Sequence, residues 1–371
     1  MKRLVIALLC VLMFAGCGGD ESSGGGPPQP PAPVPPIGRL VMYLLAANSP
    51  GDSIDIFEVS AADGSLVRTA NSPLATNAGI LSLENSPGSP FVYAGSFTSN
   101  EILGFAMDGN TGRLTPLAGF PVTSEPENNI ILDRTGQFLY SLGEDGIDGF
   151  RVDQTTGALT RLTGFPIRGL TELRNGSFDL DNNFLYVADF GADEIVTYQL
   201  NGRTGALTDV AHTPTGDQPF ALEVEPANSF VYVSVADGFL NGFRRNADGS
   251  LSQLAGFPVS YAPAGAATAR FAFRDQVLFI GDRTSRSLSA FSVDPATGGV
   301  TLLAGYPKPG GGADIVSYPV PNAPFLYAAD RPANLINGFQ IGPNASTTSI
   351  PGSPFPAGGG PNELLPVVFA F

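Results

Sequence analysis

The chain repeats one six-residue phrase, and the period of this repeat limits the fold more than any other feature. The phrase LAGFPV occurs at residues 117–122 and 254–259, with near copies LTGFPI from Leu162 and LAGYPK from Leu303. Its proline recurs with gaps of 48, 45, 48, 44, 49 and 47 residues, at Pro73, Pro121, Pro166, Pro214, Pro258, Pro307 and Pro354. A period in the forties is typical of architectures built from one supersecondary unit per repeat.

Two further segments recur in phase with the phrase. The first is short, aromatic and nearly uncharged, which predicts a strand buried on both faces, and it is centred on Tyr43, Tyr93, Tyr140, Tyr186, Tyr232, Phe279 and Tyr327. The second alternates apolar and polar residues, as in IDGFRV from Ile147, and predicts a half-exposed strand. A turn sequence such as TGAL at Thr156 follows, because glycine adopts the positive φ of a tight hairpin. The seventh unit lacks this turn sequence.

These segments, with a further strand before each aromatic one, predict an all-β fold. The fold is a seven-bladed β-propeller with four antiparallel strands per blade. The first unit has no inner strand of its own, and the chain ends in an unmatched segment, PNELLPVVFAF at residues 361–371. We therefore expect the C-terminal strand to close the first blade. The alternative, a row of sandwich domains, would need linkers that the sequence lacks.

The first residues have the layout of a bacterial secretory signal. Two basic residues precede an apolar run that is too short to span a bilayer, and FAGC, which ends at Cys17, resembles a lipobox. We predict a lipoprotein signal peptide at residues 1–16, lipidation at Cys17, a Gly/Ser/Pro-rich tether at residues 17–38 and the propeller at residues 39–371. The alternative is an ordinary signal peptide. The predicted location is the cell envelope, on the outer membrane or facing the periplasm if the cell is Gram-negative.

The charge of the chain limits its partners. The formal net charge is −15, and it becomes −17 if the signal peptide, with its two basic residues, is removed. Such a surface repels nucleic acid and anionic headgroups, so we expect no nucleic-acid binding and membrane contact only through the lipid. The predicted propeller contains no cysteine and hence no disulfide. We expect a monomer.

The segment FLYVADFGADEIVTYQLNGRTGAL, at residues 184–207, closely resembles the seven-bladed β-propeller lactonase family. This family includes 6-phosphogluconolactonase and the muconate lactonizing enzymes. The likeness extends over all seven repeats, because the aromatic strand, the alternating strand and the turn recur in the same order. It implies the propeller fold, and it makes lactone hydrolysis at the channel mouth the activity to test.

The resemblance also implies where the family's site residues would lie. An arginine that faces substrate in the family is matched by Arg283, and its planar guanidinium suits a carboxylate or an oxyanion. The positions of the family's histidine, its Arg-His pair and its Asn-Glu pair are apolar or small here, namely Gly176, Phe220 with Ala221, and Ser234 with Val235. We interpret this as a degraded family site.

Other catalytic motifs are missing from the sequence. There is no Gly-x-Ser-x-Gly elbow, no Cys/His metal spacing and no phosphate-binding glycine loop. The single histidine, His212, falls at the exit of an outer strand, away from the channel. The usual nucleophile, base and orienting group cannot be assembled, so the catalytic residues stay unknown.

Polar residues recur at the starts of the inner strands and after the aromatic strands, which meet on one face of a propeller. These candidate ligand-binding residues are Glu127, Asn128, Arg174, Asp189, Asp217, Asp282, Arg283, Asp330, Arg331, Asn362 and Glu363. Carboxylates and amides that converged there could hold a hard cation such as Ca²⁺, although no metal or other cofactor is required.

The favoured hypothesis is an envelope-anchored binding module that takes an unidentified protein or small molecule on this face. The alternative is a lactone hydrolase, of the 6-phosphogluconolactonase type or metal-assisted, that acts at the channel mouth.

Overall fold

The structure is a computed structural model that describes residues 39–124, 127–261, 269–312, 314–317 and 323–371. The predicted signal peptide and tether, including Cys17, lie outside the described residues. Within the described part of the chain, no helix has the length and apolarity to cross a membrane.

Seven antiparallel sheets form the molecule, and each is one blade with an inner, a second, a third and an outer strand. Every inner strand contacts the inner strands of both neighbouring blades, so the ring is closed around a central axis. The predicted seven-bladed all-β propeller is therefore confirmed. Blades are numbered here from the one that contains Leu40.

The strand bounds follow the repeat. The inner strands of blades 1 to 7 are Pro361–Ala370, Ile80–Asn85, Glu127–Leu132, Leu173–Phe178, Leu222–Val224, Ala269–Arg274 and Asp314–Ser317. The second strands are Leu40–Asn48, Phe91–Ser96, Phe138–Gly143, Phe184–Asp189, Phe230–Val235, Val277–Asp282 and Phe325–Asp330. The third strands are Ser53–Val59, Glu101–Met107, Gly146–Val152, Glu194–Leu200, Phe239–Arg245, Ser287–Val293 and Leu335–Ile341.

The outer strand of most blades is split into two short pieces. The first pieces are Leu66–Arg68, Leu114–Pro116, Leu159–Arg161, Leu251–Gln253, Val300–Leu302 and Thr347–Ser349. The second pieces are Leu74–Ala75, Val122–Thr123, Ile167–Arg168, Val259–Ser260, Lys308–Pro309 and Phe355–Pro356. Blade 4 has one continuous outer strand, Leu207–Pro214. Two 3-10 turns complete the described elements, Ala236–Gly238 and Pro343–Ala345.

The C-terminal strand closes the ring as predicted. Pro361–Ala370 pairs with Leu40–Asn48 in antiparallel register, from Leu40 opposite Ala370 to Asn48 opposite Pro361. Blade 1 therefore joins the two ends of the described chain, and no inner edge is left unpaired there.

The repeated phrase is the kink between the two pieces of an outer strand. Its aromatic ring lies over a glycine of the third strand in the same blade: a Cβ at Gly104 would be 2.5 Å from the Phe120 ring, and one at Gly242 would be 2.6 Å from the Phe257 ring. The phrase and the glycine of the third strand therefore repeat together, because the absent side chain of the glycine leaves the space that the aromatic ring of the phrase occupies.

The third strands are more buried than the alternating pattern predicted. In Ser53–Val59 only Glu58 is exposed, and in Gly146–Val152 only Arg151 is exposed. The polar residues of the alternation are buried because they bond within the blade: Asp55 pairs with Arg68, and Asp148 pairs with Arg161 at 2.5 Å.

Buried tyrosines of the second strands connect neighbouring blades. The Tyr93 hydroxyl donates to the Gly157 carbonyl at 2.8 Å, and Tyr140 donates to Gly205 at 2.7 Å, each in the hairpin turn of the next blade. Blade 6 has Phe279 instead, and its neighbour, blade 7, has the divergent turn at Pro343–Ala345. There the hydroxyl of Tyr306, from the variant phrase LAGYPK, donates to the turn at Ala345. A near copy of the phrase thus restores a bond that the aromatic strand cannot make.

Candidate functional site

Equivalent positions on the seven inner strands form a ring around the axis, which we call the channel belt. In six blades the belt residue lies opposite the penultimate residue of the second strand. In blade 5 the belt residue is Ala221, which immediately precedes the short inner strand and bonds the penultimate residue, Ser234. In blade order the belt residues are Glu363, Ser82, Asn129, Asn175, Ala221, Arg270 and Asp314.

Polar belt side chains bond each inner strand to the next one. Glu363 Oε1 accepts from the Leu83 amide at 3.1 Å, and Ser82 Oγ accepts from Ile130 at 3.0 Å. Asn129 donates to the Arg174 carbonyl at 3.3 Å. Asn175 Oδ1 accepts from Leu222 at 3.0 Å, and Asp314 Oδ2 accepts from Leu364 at 2.7 Å. These contacts cross five of the seven blade boundaries.

The channel belt is interrupted at blades 5 and 6. Ala221 has no polar side chain, and its own amide donates to Ser234 Oγ at 3.0 Å. Arg270 cannot accept a hydrogen bond, since a guanidinium has only donors. No belt side chain therefore bonds the next inner strand at the boundaries after blades 5 and 6, although Ser317 Oγ donates to the Phe273 carbonyl across the second of them at 2.7 Å.

Arginine and phenylalanine side chains stack beside this interruption. The Arg270 guanidinium lies over the Phe220 ring at 4.8 Å from its centroid. Arg174 lies 6.0 Å from the same ring and 4.7 Å from the Phe190 ring, and it also pairs with Glu172. Cation–π contact of this kind orients a guanidinium without using its hydrogen-bond donors.

Two further arginines, both predicted, lie close enough to join this group. Burial lowers the pKa of Arg283, and the positive charges of Arg331 and Arg270 lower it further. Arg331 donates from Nε to the Ser49 carbonyl at 3.0 Å. Arg174, Arg270, Arg283 and Arg331 are each half-buried, and we call them the mouth arginines.

Several donors of the mouth arginines have no partner among the described residues. Arg270 Nη1 and Arg174 Nε are buried and unbonded. No hydrogen bond or ion pair to another described residue involves the Arg283 side chain. An unsatisfied buried donor costs about 1–3 kcal/mol, and more when it is charged, so this cluster favours a bound acceptor.

The predicted carboxylates at the ends of the second strands bond loops of their own blade or of the neighbouring blade. Asp189 accepts from the Thr171 hydroxyl at 2.8 Å and from the Ala192 amide at 3.1 Å. Asp330 pairs with Arg286. Asp282, which is 1% exposed, accepts from the Ser285 amide through Oδ1, while its Oδ2 has no partner among the described residues. These carboxylates therefore hold the loops in place, and Asp282 alone of the three keeps an unbonded oxygen.

The other predicted residues have separate positions. Asn362 donates to the Leu81 carbonyl at 3.3 Å and Glu363 belongs to the channel belt, so both bond blade 1 to blade 2. Asp217 is exposed and bonds the next amide at 2.9 Å. Glu127 and Asn128 begin the inner strand of blade 3, and their side chains lie outside the described residues.

The described side chains do not form the donor set expected for a cation. No group of three or more His, Cys, Asp or Glu residues among them could hold a metal ion. Since Asp189, Asp330 and Glu363 already bond neighbouring groups, they do not converge on one point. The described residues thus give the calcium prediction no support.

Sequence reasoning found Arg174, Arg283 and Arg331 but missed Arg270 and the ring of Phe190. The signal for Arg270 was its place at the start of an inner strand, as for Arg174. Only the strand register, in which Arg270 lies opposite Gly281, identifies Arg270 as a belt residue, and this register cannot be read from the sequence.

The fold and this cluster define a class of protein, namely a seven-bladed propeller with four half-buried arginines at one end of its axis. Comparison with known families then gives the particular relationship. The profile of the family described as "Lactonase, 7-bladed beta-propeller" matches residues 82–169 and 177–260, just under half of the chain. The resemblance to this family that the repeats indicated is thereby confirmed.

Solved structures agree with this fold. A proposed 6-phosphogluconolactonase from Bacteroides uniformis is 19% identical with a TM-score of 0.74, over 88% of this chain and 99% of that chain. One from Bacteroides fragilis is 20% identical with a TM-score of 0.73, over 88% and 98%. The periplasmic gluconolactonase of Pseudomonas aeruginosa is 17% identical with a TM-score of 0.73, over 89% and 99%. No curated protein matches the sequence significantly.

Proposed function

We infer that this lactonase-type propeller binds a small anion of the carboxylate or phosphate class at the mouth arginines. The observation that carries this proposal is the cluster of half-buried arginines in which the Arg283 side chain bonds no other described residue. A guanidinium matches the planar geometry of a carboxylate and the oxygens of a phosphate, and the resulting bonds are charge-assisted.

The charge distribution supports the same proposal. The chain carries a net charge of −15, yet four arginines from blades 4, 6 and 7 lie at one end of the axis. Burial first, and then the positive charges of Arg331 and Arg270, lower the pKa of Arg283 and disfavour its charged form. A bound anion would remove this repulsion and satisfy the open donors. The acidic surroundings would keep such binding local to the mouth.

Binding without turnover is favoured because the described mouth offers few groups for proton transfer. The Ser234 hydroxyl, at one of the family's polar positions, is buried and accepts from the Ala221 amide. Gly176 has no side chain, and a Cβ there would lie 3.1 Å from the Tyr186 carbonyl oxygen. A lactonase needs a base to activate water, and neither position can supply one.

Lactone hydrolysis remains the second candidate, and two observations favour it. The family profile and the solved neighbours are of lactonase type. Asp282 also keeps an unbonded Oδ2, and it directly precedes Arg283, which could hold a developing oxyanion. In this alternative, Asp282 is the base.

Calorimetric titration of the full chain at low salt with phosphate, gluconate and 6-phosphogluconate tests binding. We expect saturable binding of at least one anion, weakened at least roughly tenfold in Arg270→Gln and Arg283→Gln, since each change removes a charge-assisted bond. Arg113→Gln, on an exposed turn of blade 2, is the matched control and should bind as the parent does. Equal affinities in all four proteins would contradict the proposal.

A turnover assay separates the two candidates. We expect no hydrolysis of gluconolactone or 6-phosphogluconolactone above the spontaneous rate, with or without added Ca²⁺. Saturable turnover that disappears in Asp282→Asn, while anion binding persists, would establish the hydrolase instead.

We also propose that the propeller is anchored in the cell envelope through Cys17. The support is the lipobox-like FAGC and the proline-rich tether that follows it. A lipid on Cys17 would hold the binding face near a membrane while the tether separates the acidic propeller from anionic headgroups.

A further inference from the structure

A groove of about 610 Å³ lies between blades 6 and 7, apart from the mouth arginines. One wall is the loop at Ser285–Ser287 with the kinked outer strand of blade 6, and the other wall contains Asp330 and Asn337 of blade 7. None of the mouth arginines lines it. The groove is therefore separate from the site proposed above.

Three consecutive glycines, Gly310, Gly311 and Gly312, form the connection between the two blades, and Gly310 lines the groove. A Cβ at Gly311 would lie 1.7 Å from the Ser287 carbonyl oxygen, and one at Gly312 would lie 1.8 Å from that of Ala329. The amides of Gly310 and Gly311 donate to the Arg286 carbonyl at 3.1 and 3.2 Å. The connection between the blades thus packs directly against the strands, and no side chain from it fills the groove above.

Asn337 contributes an unused amide to the groove. Its equivalent in blade 5, Asn241, donates to the Thr215 carbonyl at 2.7 Å and accepts from Gln253 at 3.4 Å. Asn337 has the same place in INGF as Asn241 has in LNGF, but the Asn337 side chain bonds no described residue. A side-chain amide that is structural in blade 5 is therefore available to a ligand in blade 7.

The remaining polar groups offer donors and acceptors side by side. Arg286 pairs with Asp330, whose side chain is 6% exposed, while the Arg286 side chain is 52% exposed. The hydroxyls of Ser285 and Ser287 lie 2.7 Å apart. A guanidinium–carboxylate pair and two hydroxyls can each donate to and accept from neighbouring alcohol groups.

The groove is poorly suited to an anion or to a metal ion. Asp330 neutralises Arg286, and Lys308 Nζ already donates to the Thr347 carbonyl at 3.0 Å. A single described carboxylate is too few for a cation site. The rings of Pro307 and Pro309 supply an apolar wall between the polar groups. This combination suits a ligand with many hydroxyls and apolar C–H faces.

We propose that the groove between blades 6 and 7 binds a neutral mono- or disaccharide. Sugar hydroxyls would bond Asn337, the serine pair and the Arg286–Asp330 pair, and a C–H face would lie on the proline wall. The volume is within the range of small-molecule sites and exceeds what one hexose fills. The proposal goes beyond anion binding at the mouth and does not depend on it.

Titration of the full chain with glucose, N-acetylglucosamine, maltose and cellobiose tests this. We expect saturable binding of at least one of the four, weakened roughly tenfold in Asn337→Leu, because one ligand hydrogen bond is lost and the groove is narrowed. Gln340→Leu, an exposed change in the same strand, and Arg283→Gln, at the mouth, should leave sugar affinity unchanged. No saturable binding by any of the four sugars, or full affinity in Asn337→Leu, would overturn the proposal.

A second measurement needs no substitution. Lys308 lines the groove and is the one lysine in residues 39–371, so its acylation by an amine-reactive reagent can be mapped by mass spectrometry. We expect a saturating concentration of the bound sugar to slow acylation of Lys308. An unchanged rate would place the sugar elsewhere and overturn the assignment to this groove.

Discussion

Ala221 and Arg270 are the two channel-belt residues whose side chains do not bond a neighbouring inner strand. At five blade boundaries a polar belt side chain bonds the next inner strand, whereas the side chains of these two residues make no such bond. Because the belt is open there, guanidinium groups occupy the mouth beside Phe220. The position of the proposed anion site thus follows from two residues.

Residues of the site were predicted only in part, and the reason is physical. The seven belt residues share a position, but only asparagine occurs twice among them, so no common residue type identifies them. Carboxylates were predicted to face a ligand, but Asp189 and Glu363 are used by backbone amides instead. A sequence shows that an acidic side chain is near the mouth, whereas only the register shows which amide it accepts from.

His212 gives a prediction at this scale. Its ring nitrogens contact Glu194 at 2.6 Å and Asp209 at 3.0 Å on the outer face of blade 4, and these carboxylates raise the pKa of His212 in the folded state. The stabilisation is therefore complete below the unfolded pKa of about 6.5 and is lost as pH rises through the higher folded value. It should be small because the side chain is 46% exposed.

Urea denaturation of the parent and of His212→Gln, at about pH 6 and about pH 9, measures this effect. We expect the parent to lose slightly more stability than the variant between the two conditions, since His212 is the only histidine in the chain. The same pH dependence in both proteins would show that the contacts with Glu194 and Asp209 contribute nothing.

At the scale of elements, the blades were predictable because the same residue types recur at the same packing positions in successive blades. The aromatic second strand, the Gly-Phe pair and the repeated phrase are mutually dependent, as the Gly104–Phe120 contact shows. The degree of burial of the third strands was not predictable, since it depends on partners such as Arg68 for Asp55 that lie outside the strand.

The bonds from second-strand tyrosines to the next blade give a matched pair of variants. Tyr140 donates to the Gly205 carbonyl at 2.7 Å, whereas Tyr186, equally buried at the same place in blade 4, reaches no turn carbonyl. We expect Tyr140→Phe to lower the free energy of unfolding by about 1–3 kcal/mol, because the buried Gly205 carbonyl loses its donor.

Tyr186→Phe should cost less, because its hydroxyl donates to no turn carbonyl and lies only near the Arg245 guanidinium. Chemical denaturation of both variants, followed by tyrosine fluorescence and by circular dichroism, makes the comparison. Equal losses in the two variants would mean that these hydroxyls do not stabilise the blade boundaries.

For the whole molecule, the closure of the ring could be predicted from the sequence, whereas the distribution of charge over the surface could not. Closure was predictable because one unmatched segment, Pro361–Ala370, remained for the one blade without an inner strand. The charge pattern was not predictable from a net value of −15, which argued against anion binding. The fold gathers four arginines from distant parts of the chain at one mouth, so the local potential can oppose the global one.

The central claim is that an anion binds the mouth arginines. Crystals of the propeller, grown without phosphate or sulfate and soaked in selenate, can be measured at the selenium absorption edge. We expect an anomalous peak within hydrogen-bond distance of the Arg270 and Arg283 guanidinium groups, and its loss in Arg270→Gln. Selenate peaks elsewhere on the surface with none at the mouth would contradict the account.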